Sequence, residues 1–117
     1  MSYLEKAKQL YNQVEQGQIL EAFENHYAEH VVMEEPSAKR EGKDACRDYE
    51  EQFVNNVEAF HSMEIKAMSE DSEKSKVFVE IEMDITFKGG NRMKMEQVAV
   101  QKWENDQIVH ERFYYNN

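Results

Sequence analysis

Cysteine and proline are nearly missing from this sequence, with one of each, and glycine occurs four times in 117 residues. A lone cysteine, Cys46, has no partner for an internal disulfide, so nothing indicates an oxidising compartment. A reactive thiol needs a cationic setting, whereas Cys46 sits on the apolar stripe of an expected helix and reads as a small core residue. Long apolar runs are missing too. No stretch approaches a membrane span. The first residues, Met-Ser-Tyr-Leu-Glu-Lys-Ala-Lys, carry charge where a signal peptide needs an apolar run. The chain therefore reads as cytoplasmic. A glycine-rich phosphate loop is also lacking, since Gly89-Gly90 marks a hairpin tip.

Positive charge is scarce as well. Fourteen Lys and Arg face twenty-four Asp and Glu, a net charge of −10. Nucleic acid and anionic membranes repel such a surface, so neither is expected as a partner. The local basic group Lys39, Arg40, Lys43 and Arg47 is diluted by Glu41, Asp44 and Asp48. What remains is a chain of single-domain size with 40% hydrophobic residues. It is expected to form one domain over residues 1–117.

The apolar pattern changes period once. Leu4, Ala7, Leu10, Tyr11 and Val14 follow helical spacing, with Gly17 placed as a C-terminal cap. Ile19, Leu20, Phe23, His26 and Tyr27 share one face of a second helix. Val31 to Glu35 reads as a short strand ended by Pro36, followed by a polar loop. Gly42-Lys43-Asp44 opens a third helix striped by Cys46, Tyr49, Phe53, Val57 and Phe60. From residue 61 the period becomes two, with Met63, Ile65 and Ala67 alternating. Val77 to Phe87 and Met93 to Trp103 form a long hairpin around Gly89-Gly90-Asn91. Asn105-Asp106 turns into a last strand whose inward residues read as Val109, Glu111, Phe113 and Tyr115. Helices first and hairpin-linked strands afterwards predict an α+β fold: three N-terminal helices packed on a strongly curved antiparallel sheet, a cone with an internal pocket.

Tyr27-Ala28-Glu29-His30-Val31-Val32-Met33-Glu34-Glu35-Pro36 and Trp103 through Tyr115, with Gly42 between them, resemble the nuclear transport factor two-like superfamily, which includes SnoaL-like and ketosteroid isomerase-like domains. The resemblance implies the same cystatin-like cone. It places Glu35 where ketosteroid isomerase carries its base, but Leu10 and Ala99 where that enzyme places hydrogen-bond donors; Tyr11 is one residue away and expected to point about 100° off. Steroid isomerisation is therefore not implied. The acid of SnoaL-type cyclases would fall close to Phe113, with Glu111 the nearest carboxylate.

The residues themselves point the same way. Glu111 is a carboxylate on an otherwise apolar strand face, and Gln97 and Gln101 interrupt the neighbouring inward face. With Glu35, Tyr49, Phe53, Phe113 and Tyr115 they would form a mostly apolar pocket with a few convergent polar groups, the usual composition of a small-molecule site. Glu35 and Glu111 are the catalytic candidates: an inward glutamate is desolvated and suited to accept a proton near neutral pH. The bland alternative has the glutamines satisfying each other and both glutamates in solvent. His26 and His30 lack the zincin glutamate and a third ligand at the right spacing, so no metal and no cofactor is expected. The expected occupant is a small apolar carbonyl or hydroxyl compound handled by an isomerase, cyclase, hydrolase or dehydratase. The rival reading is a non-catalytic homodimer or protein-interaction module, joined through the convex face where Arg92, Lys94 and Lys102 meet Glu80, Glu82 and Asp84.

Overall fold

The computed structural model describes residues 2–116. Helix α1 (Tyr3–Glu15) begins at Ser2, whose hydroxyl accepts from the Glu5 amide at 3.1 Å and satisfies one of the helix's free donors. It ends at Gly17, where the Gly17 and Gln18 amides donate back to the Val14 and Gln13 carbonyls at 3.0 and 2.9 Å. This closure needs a left-handed residue, and Gly17 supplies φ 82°. Helix α2 (Ile19–His26) follows, then strands β1 (Tyr27–Glu35) and β2 (Ala38–Glu41), helix α3 (Lys43–Asn56), and strands β3 (Val57–Asp71), β4 (Lys76–Phe87), β5 (Arg92–Glu104) and β6 (Gln107–Tyr114).

The six strands form one sheet in the order β2-β1-β6-β5-β4-β3. Every pairing is antiparallel except β1 with β6. The two tight turns use the backbone their residues favour: Gly89 and Gly90 take φ 99° and 89°, Asn105 and Asp106 take φ 51° and 65°. The inner face of the sheet is legible as rows across the ladder. Val79, Ala99 and Phe113 make one row; Val77, Gln101, Glu111 and Met33 make the next. Helices α1 and α3 pack across this face, α1 on β3 and β4, α3 on β1. The result is the expected α+β architecture, three helices against a curved six-stranded sheet. Cys46, Trp103, Ile108 and Val79 are fully buried in the layer between. Among the described residues no helix is long and apolar enough to cross a membrane.

The structure corrects the boundaries at several points. Tyr27 belongs to β1, not to the second helix, so His30 lies exposed on a strand. The polar loop after Pro36 contains β2, an edge strand fixed by its register with β1. Helix α3 stops at Asn56, and Val57 and Phe60 belong to β3. Bulges between Val57 and Ala59 and between Phe60 and Ser62 break the alternation there, which lets the helical spacing run on in the sequence. On β6, Val109 is an extra residue between Ile108, opposite Trp103, and His110, opposite Lys102. Ile108 therefore takes the fully buried inward place expected for Val109.

Candidate functional site

Between the helices and the sheet lies a cavity of about 190 Å³. Leu10, Tyr11 and Val14 reach it from α1, and Ile19, Ala22 and Phe23 from α2. Met63, Ile81, Met83 and Met95 line its sheet side. Its polar groups come from four elements: Tyr27 and Glu35 from β1, Tyr49 and Glu50 from α3, Gln97 from β5 and Glu111 from β6. Phe53, Phe113 and Tyr115 complete the wall. The cavity is therefore apolar and aromatic, with three carboxylates facing it.

Glu111 is the most enclosed of these. Its side chain is 1% exposed. The Tyr27 hydroxyl donates to one carboxyl oxygen and Gln101 Nε2 donates to the other at 2.8 Å. Gln101 also donates to the Tyr11 hydroxyl at 3.2 Å and accepts from Trp103 Nε1 at 3.1 Å. These bonds join α1, β1, β5 and β6 around one acid. Burial pushes the Glu111 carboxyl up to about 7, against the pull of its two donors. Burial and the neighbouring Glu111 charge likewise raise the Tyr11 and Tyr27 hydroxyls well above their ordinary value, so both stay neutral, Tyr27 donating to Glu111 and Tyr11 accepting from Gln101.

Glu50 is the group that sequence reasoning missed. It keeps some contact with solvent through the cavity, yet protein surrounds its carboxyl on nearly every side. Burial first, then the Glu111 charge, pushes it up to about 7, with Glu35 adding to the rise and Arg40 opposing it. Repulsion is mutual, so near neutral pH the two acids hold about one proton between them. A signal did exist: Glu50 lies four residues after Cys46 and three before Phe53, on the apolar stripe of α3.

Glu35 does face the cavity while its neighbour Glu34 turns outward to His110. Its surroundings differ from the greasy enclosure expected for a base. Arg40 Nη1 donates to one oxygen at 3.2 Å, and the Tyr49 and Tyr115 hydroxyls donate to the other at 3.2 and 3.0 Å. Arg40 also lies 3.6 Å above the Tyr49 ring. Three donors occupy this carboxylate, an arrangement that fixes Arg40 and two tyrosines. The charge of Glu35, with burial as the larger cause, raises the Tyr49 hydroxyl to about 12.

Of the other expected site residues, Tyr49, Phe53, Gln97, Phe113 and Tyr115 are on the cavity wall. Gln101 is not: it is fully buried one layer behind, holding Glu111 and Tyr11. Tyr11 is the opposite case. Expected to point away, it faces inward together with Leu10, because α1 lies so close to the sheet that two adjacent positions are enclosed, 3% and 7% exposed. His26 is occupied by Gln13 at 3.1 Å. Among the described residues no group of three His, Cys, Asp or Glu side chains is placed to hold a metal ion.

Residues 1–115 match the profile of the SnoaL-like domain family. No protein of curated function matches the sequence. Solved structures do. A protein from Mesorhizobium loti, named as a proposed SnoaL-like polyketide cyclase, is 28% identical with a TM-score of 0.78, covering 98% of this chain and 100% of its own. A proposed isomerase from Bacillus subtilis is 21% identical with a TM-score of 0.84, covering 99% and 90%. A protein with a ketosteroid isomerase-like fold from Catenulispora acidiphila, solved in complex with trimethylamine, is 14% identical with a TM-score of 0.70, covering 83% and 75%.

Proposed function

The chain belongs to the SnoaL-like domain family, and on that footing we propose that its cone binds a small, largely apolar carbonyl or hydroxyl compound and exchanges a proton with it through Glu111 and Glu50. The observation that carries this reading is the pair itself: two carboxyls in one apolar cavity, each raised to about 7. A general acid–base group works best when its pKa lies near the operating pH. Tyr27 and Gln101 orient Glu111. Glu35 is assigned a holding role, since Arg40, Tyr49 and Tyr115 already occupy it. An acid–base pair serves isomerisation, which moves a proton between two carbons. It serves aldol-type cyclisation, in which the deprotonated carbon attacks a carbonyl whose oxygen takes up the proton. It also serves dehydration, in which the base takes a C–H proton and the acid protonates the hydroxyl that leaves as water. The cavity of about 190 Å³ is somewhat larger than one that accommodates benzene, so the occupant is of single-ring size. The names of the Mesorhizobium and Bacillus relatives, a cyclase and an isomerase, support a site of this class.

The test is deuterium exchange at the α-carbon of cyclohexanone in D2O, followed by NMR. The wild-type chain should accelerate exchange, and Glu111→Gln should lower that acceleration at least tenfold. Equal rates with and without the substitution would remove Glu111 from the chemistry.

A second reading concerns the opposite face. Val98 and Tyr114 are 37% and 47% exposed and lie side by side on β5 and β6. We propose that a second copy of the chain covers them, through a two-fold contact in which each patch meets its own copy.

A further inference from the structure

The cavity contains more acid than its own donors use. Arg40 is bonded to Glu35 and stacked on Tyr49. The other cations of α3 are engaged elsewhere: the buried Lys43 donates to the Glu24 carbonyl and lies 5.9 Å from the Phe23 ring, and Arg47 reaches Glu24 and Asp44. Glu111 is held by Tyr27 and Gln101. Among the described residues Glu50 has no hydrogen bond and no ion pair, although it is enclosed and faces the cavity. A neutral apolar occupant would displace the water from around this group and leave it to take up a proton, whereas a cation would pair with its charge. The wall beside it offers what a cation uses. Phe23 and Tyr49 already face Lys43 and Arg40, but the rings of Tyr27, Phe53 and Phe113 line the cavity with no cation over them among the described residues, joined by the polarisable sulfurs of Met63, Met83 and Met95.

We infer that the compound entering the cone carries a small organic cation, a methylated or unmethylated ammonium group on a hydrophobic body, with Glu50 as its counter-ion and the aromatic wall as its cage. This inference rests on the reading of the cone as a ligand site and narrows the class of ligand. Pairing with the cation keeps Glu50 ionised. The proton shared by the two acids then rests on Glu111, which becomes the acid of the pair. The net charge of −10 favours the approach of cations over anions.

Calorimetric titration at low salt with two probes of one shape, choline chloride and the uncharged 3,3-dimethylbutan-1-ol, tests this directly. Choline should bind at least tenfold more tightly to the wild-type chain. Glu50→Gln and Glu50→Met should erase that preference, and melting curves check that each variant folds. The inference is overturned if the uncharged probe binds as well as choline, or if both folded variants retain the preference. Cyclohexanone serves as a third probe. If it binds and choline does not, the cation is wrong and the cone remains a ligand site; if none of the three binds, both readings fall together.

Discussion

Glu111 contributes to stability with an unusual sign. In the folded chain its carboxyl holds a proton up to about pH 7 because burial disfavours the charge. In the unfolded chain a glutamate releases its proton near pH ~4.3. Between those values the folded state binds more protons, so stability falls as pH rises through the window and is flat outside it. For one isolated group of this kind the loss is roughly 4 kcal/mol. Glu50 shares the effect and does not double it, because the pair is coupled. The paired acids with lowered values, Glu24, Glu34, Glu82 and Asp84, act in the opposite sense but at lower pH, outside this window. Glu111→Gln keeps an acceptor for Gln101 Nε2 and turns its amide N–H to the Tyr27 oxygen, whose own proton must then rotate away. Its urea midpoint should equal or exceed that of wild type at pH 7.5 and vary less between pH 5 and 7.5. A loss of several kcal/mol at pH 7.5 would show that the carboxylate is ionised and structurally required.

At the scale of elements, the site depends on where α3 begins. Gly42 precedes it with φ 91° and ψ 150°, a conformation that side chains essentially exclude. Its amide donates to the Val31 carbonyl at 2.8 Å and its carbonyl accepts from Cys46 at 3.1 Å, tying the helix start to β1. No atom lies within 4 Å of where a Cβ would stand, so Gly42→Ala carries backbone strain alone, about 2 kcal/mol. Denaturant unfolding should show that cost. Because α3 carries Tyr49, Glu50 and Phe53, the same variant should also weaken occupancy of the cone more than Gly17→Ala, which strains the end of α1. Equal ligand affinity in the two variants would mean the site tolerates displacement of α3.

At the scale of the whole molecule, four of the charges expected to join two copies, Arg92, Lys94, Glu82 and Asp84, are already paired within one. Arg92 meets Asp84 at 2.9 Å, Lys94 meets Glu82 at 3.6 Å and Lys66 meets Glu82 at 3.0 Å. Lys102 donates to the Lys74 carbonyl. Attraction between copies would then come from Val98 and Tyr114 and resist salt. Light scattering at micromolar concentration should give twice the 13.9 kDa chain mass, unchanged at 0.5 M salt (about a 4 Å screening length), and a monomer for Tyr114→Glu. A monomeric wild type sinks the proposal, and dissociation by salt would restore the charged contact in its place.

The sequence by itself determined the fold class and the inward faces, because burial imposes a period that composition displays. The alternation of Val77 to Ile85 and of Gln97 to Trp103 made the rows readable, and Glu111 stood out as a carboxylate among apolar neighbours. Local pattern misled where a bulge shifted it, at Val57, Phe60 and Val109, where pairing alone makes a strand, as in β2, and at Tyr11 and Tyr27, whose places depend on how α1 packs and where β1 begins. What the tertiary structure decided was the company each polar group keeps. Glu35 and Glu111 read alike as inward glutamates, yet Arg40 from β2 meets one and no cation meets the other among the described residues. Glu50 went unread between Cys46 and Phe53, and its neighbours became plain only once α3 lay across the cavity. Proton affinity follows desolvation and neighbouring charge, and both depend on groups distant in the chain: Glu50 is 61 residues from Glu111, and only folding brings them to one cavity.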